Sequence, residues 1–147
     1  MRERIAYDQD FFAWTQATAD ALRQGQLDGL DMEHLADEIE SMGKRDRREL
    51  LSRLSVLLAH LLKWQFQSEH QSRSWRLTIG EQRRQITELL KDSPSFGRLL
   101  PEMLPGAYED ARERALLETG LSDTELPVMC PYQLVDVLAA DFLPQNS

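Results

Sequence analysis

The chain has 147 residues, 41% of them hydrophobic and 29% charged, with a formal net charge of -8. That length fits one domain with a core of its own, and we read residues 1–147 as a single all-helical domain. One cysteine, Cys130, excludes an intrachain disulfide and a thiolate zinc cage. No stretch is apolar enough to span a bilayer, and the opening MRERIAYDQDFF has no apolar core of a leader, so a cytoplasmic protein is expected.

The elements follow a helical period almost throughout. Asp8 or Asp10 caps a first helix carrying Phe11, Trp14, Thr18, Ala21 and Leu22, and Gly25 ends it. Asp31 caps a second, with Leu35, Ile39 and Met42 spaced four and three apart, and Gly43 closes it. The third, about 44–67, repeats leucine from Leu50 to Leu62 at three- and four-residue steps, so it is the expected centre of the core. A fourth, about 73–91, buries Trp75, Ile79, Ile86, Leu89 and Leu90. Ser93-Pro94 reads as an N-cap followed by the first helical residue of a short fifth helix, which Pro101 and Pro105 stop. A sixth, about 105–119, turns Tyr108, Ala111 and Ala115 inward and stops at Gly120. Pro131 opens a last short helix with Leu134, Val135 and Leu138, and the end of the chain frays. The fold class is therefore all-α, a compact bundle of about six or seven helices around a long central one.

Several ordered strings point to a family. They are Leu35 to Gly43 (LADEIESMG), Ser52-Arg53-Leu54 through His60-Leu61-Leu62-Lys63-Trp64-Gln65, Ser74-Trp75, Pro94-Ser95, the helix from Tyr108 to Gly120, Cys130-Pro131-Tyr132 and Asp141-Phe142-Leu143-Pro144. Together they resemble domain-of-unknown-function family twenty-nine, small bacterial all-helical proteins. The resemblance covers almost the whole chain. It implies an all-α fold and a bacterial source, and it brings no activity, ligand or catalytic residue.

Charge is sorted along the chain. Residues 1–43 balance at -7, residues 44–84 at +6 and residues 85–147 at -7. The bland reading neutralises the basic middle within the fold, using Glu33, Asp37, Glu38 and Glu40 from one side and Glu109, Asp110 and Glu113 from the other. The sharper reading makes it a phosphate-binding surface. Arg73, Arg76, Arg83 and Arg84 share one flank of the fourth helix, and Trp64 or Trp75 would offer stacking faces. On the long helix Arg53, His60 and Gln67 stand seven apart in one line, with Lys63 and Trp64 beside it. An arginine and a histidine so spaced resemble the pattern of HEPN-type ribonucleases. There the histidine (here His60) would move a proton and the arginine (here Arg53) would hold the phosphate. Leu54 departs from that pattern, which puts a polar residue after the arginine. Glu33, Asp37 and Glu40 face one way and are the carboxylates to consider for a divalent metal, but no matched acidic pair stands elsewhere, so neither metal nor cofactor is expected. The long apolar helix and the segregated charge favour a non-enzymatic interaction module, partnered by a second copy or another protein, with nucleic acid as the less favoured partner.

Overall fold

A computed structural model describes residues 6–147. Residues 1–5, part of the opening read above as lacking a leader, lie outside it. The described chain is helical, with five α-helices and no strand. They are α1 (Phe11–Arg23), α2 (Met32–Phe66), α3 (Arg73–Asp92), α4 (Phe96–Thr119) and α5 (Leu134–Leu138), with single 3₁₀ turns at Ser68–His70 and Asp123–Glu125. Two compact units divide the residues, Met1–Arg45 and Asp46–Ser147.

The count is lower than expected because two breaks are absent. The second and third expected helices are one helix of 35 residues. Gly43 costs it about 1 kcal/mol against alanine, and a helix with good formers on both sides absorbs that. Gly43 does not take the left-handed conformation of a helix stop, whereas Gly25 (φ 71°) and Gly120 (φ 74°) do. The fifth and sixth helices likewise merge into α4, with Pro101 and Pro105 inside it. Each proline removes one backbone donor and crowds the carbonyl four residues back. Both sit on the exposed side, while Leu100, Met103, Ala107, Tyr108, Ala111 and Ala115 hold the other side in the core. The start also moves: Ser95, not Ser93, is the residue before α4, and Pro94 stays outside it.

In the first unit, Asp10 caps α1 by accepting the Ala13 N–H at 3.0 Å, and Asp31 caps α2 by accepting the His34 N–H at 3.1 Å. Tyr7 donates to Glu38, stacks on His34 and meets Trp14 edge-on, so one side of the first turns of α2 is covered.

In the second unit, Leu50, Leu54, Leu57, Leu58, Leu61 and Leu62 are all at 0% exposure. They pack with Ile79 and Ile86 of α3, the apolar side of α4, Leu126, Tyr132 and Val137. Ser72 caps α3 by accepting the Trp75 N–H. Tyr108 and Arg112 of α4 both donate to the Pro127 carbonyl, and Arg112 also bonds to Asp123, which fixes the loop before Pro131. Val135 is exposed, and Val137 takes the core position. The tail expected to fray makes specific bonds. Ser147 N–H donates to the Gln65 carbonyl, Gln71 donates to Asn146, and Pro144 is buried.

Candidate functional site

The end of α2 carries most of the residues singled out in the sequence. Trp64 belongs to the core and Lys63 is only 8% exposed. The Lys63 ammonium is 2.7 Å from a Glu118 carboxylate oxygen of α4 and 5.2 Å from the centre of the Trp75 ring. The hydrogen bond from Lys63 holds the Glu118 carboxyl below the usual carboxylate range. Arg76 lies over Trp64 at 5.6 Å. The two tryptophans therefore stack with cations of their own chain, and the aromatic platform expected for bases is occupied internally. Arg73 and Arg76 remain exposed and, with Trp64, Gln71 and Ser72, line a groove of about 460 Å³. Gln67 stands just past α2, its N–H donating to the Lys63 carbonyl.

His60 and Arg53 point to different surroundings. His60 Nδ1 lies 2.9 Å from the Val56 carbonyl of its own helix, and burial lowers its pKa. Arg53 pairs with Glu49 and donates to Gln82 of α3. No hydrogen bond joins His60 to Arg53 among the described residues.

The basic flank of α3 also separates. Arg84 is exposed and pairs with Glu81 one turn back. Arg83 is buried and donates to three carbonyls, Val137 at 2.9 Å, Ala140 at 3.4 Å and Phe142 at 2.8 Å. It is a structural clamp on the C-terminal segment, which corrects its placing on an exposed strip. The expected neutralisation by α4 is narrower than proposed: among the described residues no ion pair reaches Glu109, Asp110 or Glu113, and Glu118 alone from α4 meets the basic run. Asp110 and Glu113 instead share a groove of about 650 Å³ with Arg48, Ser52 and Arg114. Ser55 lines it too, its hydroxyl buried and without a hydrogen-bond partner.

What sequence reasoning missed lies in the first unit. Ile39 and Met42, spaced for burial, are 62% and 61% exposed, and Met32 on the same side is 64% exposed. Leu35, between them, is half-buried. The step to Leu50 keeps the same line of α2, yet Leu50 is wholly covered. Periodicity identifies an apolar side; it does not say whether anything lies against it. Phe11 and Phe12 of α1 and Leu27 add to the exposed apolar groups of this unit. Glu33, Asp37 and Glu40 form an exposed line on the far side of α2 from the stripe, and among the described residues no cluster of histidine, cysteine or carboxylates is placed to hold a metal ion.

With this all-helical layout in place, the family can be stated. The model of the family described as domain of unknown function DUF29 matches residues 6–143. The chain belongs to that family. The DUF29 match takes in α1 to α5, so it spans both units. No curated protein and no solved structure matches the chain. No helix of this DUF29 protein, among its described residues, is long and apolar enough to cross a membrane.

Proposed function

We propose that this DUF29 chain is a non-enzymatic helical module that binds another protein chain through the first half of α2. One observation carries the reading: Ile39 and Met42 stand more than 60% exposed on one side of a well-formed helix. Single exposed apolar residues are ordinary, but a helical stripe of them, with Met32 in line, leaves an amphipathic helix without the cover its pattern calls for. A partner helix laid along the stripe would supply that cover. The grouping at the end of α2 supports the same view, because Lys63, Trp64, Trp75 and Arg76 satisfy one another. We place the module in a bacterial cytoplasm. The family resemblance supports the source, and the single cysteine suits a reducing compartment.

The test is capture of partners from an extract of the host by the full chain, with Ile39→Asp as the control bait. Binding partners held by the wild-type chain and lost by the variant bear the proposal out. Equal capture by both, or no saturable binding by either, defeats it. An unchanged urea transition shows that the variant remains folded.

A further inference from the structure

We infer that the groove lined by α2 and α4 binds a free α-amino acid with an apolar side chain, held as its zwitterion. The groove lies wholly in the second unit and shares no residue with the exposed stripe, so this is a function separate from docking. Its volume of about 650 Å³ falls within the range of small-ligand pockets, roughly 300–1,000 Å³. From α2 come Arg48, Leu51, Ser52 and Ser55, and from α4 come Asp110, Glu113, Arg114 and Leu117. Two observations point to a ligand. Ser55 is 4% exposed, and its hydroxyl has no hydrogen-bond partner. A buried hydroxyl in that state is costly until an entering group bonds to it. The second observation concerns charge. The side chains of Arg48, Asp110, Glu113 and Arg114 enter no ion pair and no hydrogen bond among the described residues. Asp110 and Arg114 stand four apart on one helix with the acid first, as do Glu49 and Arg53. Glu49 and Arg53 close at 3.0 Å, whereas Asp110 and Arg114 stay apart.

The signs of the charges select the ligand. Glu118, a third carboxylate of the groove, is already held by Lys63. Two guanidinium groups and two carboxylates are left to bind. A phosphate would meet Asp110 and Glu113, and a simple amine would meet Arg48 and Arg114, so a ligand of one sign faces like charge in either case. A molecule carrying both signs avoids this. The carboxylate of an amino acid fits the planar fork of an arginine, and it accepts from the Ser55 hydroxyl as well. Its ammonium donates to Asp110 and Glu113. The side chain is apolar because Leu51 and Leu117 line the same groove. Leu117 is 81% exposed, and covering it removes apolar surface from water.

Calorimetric titration of the full chain with leucine, methionine and phenylalanine at neutral pH reads the result. At least one is expected to bind saturably below about 10 mM. Two relatives of that ligand test the zwitterion: the N-acetyl form lacks the ammonium, the amide lacks the carboxylate, and each should bind about tenfold more weakly. Replacing both arginines, Arg48→Gln with Arg114→Gln, should weaken the free amino acid by about tenfold and leave the amide unchanged. Ser55→Ala gives a readout that a purely structural serine would not. Its urea midpoint should not fall, because the lost hydroxyl had no partner, while ligand affinity drops by about fivefold. No saturable binding by any of the three amino acids overturns the inference. So does equal binding of the amide and N-acetyl forms, or a Ser55→Ala chain that binds as tightly as the wild type. Partner capture through the stripe is a separate measurement, so either reading can fail while the other stands.

Discussion

Arg83 in α3 donates its Nε–H to the carbonyl of Val137 in α5 at 2.9 Å, and its two remaining nitrogens reach Ala140 and Phe142. A guanidinium suits this role because its donors are fixed in a plane and can hold three carbonyls at once. Burial pulls its pKa down from the ordinary arginine value, and Asp141 acts in the opposite direction. Replacing Arg83 with methionine keeps much of the stem but orphans three acceptors, at a cost of about 3 kcal/mol in urea unfolding. Hydrogen exchange gives the local readout: residues 134–142 lose protection ahead of α2. Arg83→Lys, a single point donor, recovers only part of it.

Gly43 makes the opposite prediction. It lies inside α2 without a positive φ, and a Cβ built there meets nothing within 4 Å. Gly43→Ala should raise stability by about 1 kcal/mol, since alanine is the better helix former. A drop in the urea midpoint would mean that the helix needs freedom at this position.

The Lys63–Glu118 pair links stability to acid pH. The folded Glu118 carboxyl titrates below its unfolded value, so its contribution is present above about pH 4.5 and is lost as the pH falls through the lower folded value. Glu118 is nearly half exposed, which keeps the gain small; Glu118→Gln should cost about 1 kcal/mol near neutrality and progressively less as the pH falls through the folded value. Lys63→Met keeps the buried stem packed and removes the charge, so it should be better tolerated than the glutamine variant. Comparing both variants at two pH values checks the sign.

His60 and His34 should titrate on opposite sides of the ordinary histidine value of 6.5. Burial lowers His60, so the fold prefers the neutral ring; its contribution is complete above pH 6.5 and declines as the pH falls through the lower folded value. The hydrogen bond to Asp31 raises His34, whose contribution is present below pH 6.5 and is lost as the pH rises through the higher folded value. NMR titration of the ring protons reads both, and a His60 that protonates before His34 on acidification contradicts this assignment.

Much of this was legible in the residues. Leucines from Leu50 to Leu62 at helical spacing marked the core, and Gly25 and Gly120 marked true stops. Gly43 and Pro101 misled, because a local breaker costs a few kcal/mol at most and a long buried side repays it. Arg83 and Arg84 are neighbours in sequence, and the step of about 100° around α3 puts one in the core and the other in solvent. Exposure of Ile39 and Met42 was out of reach for the same reason: periodicity describes a helix, and burial depends on what other segments do.

By itself the sequence determined the helical class, the apolar side of each helix and the ordering of charge, since all three are properties of neighbouring residues at a fixed 3.6-residue period. Tertiary structure alone decided which stretches of that apolar side are covered, which arginine is a clamp, and which carboxylate meets Lys63. Those depend on contacts between residues far apart in the chain, and no local pattern encodes them.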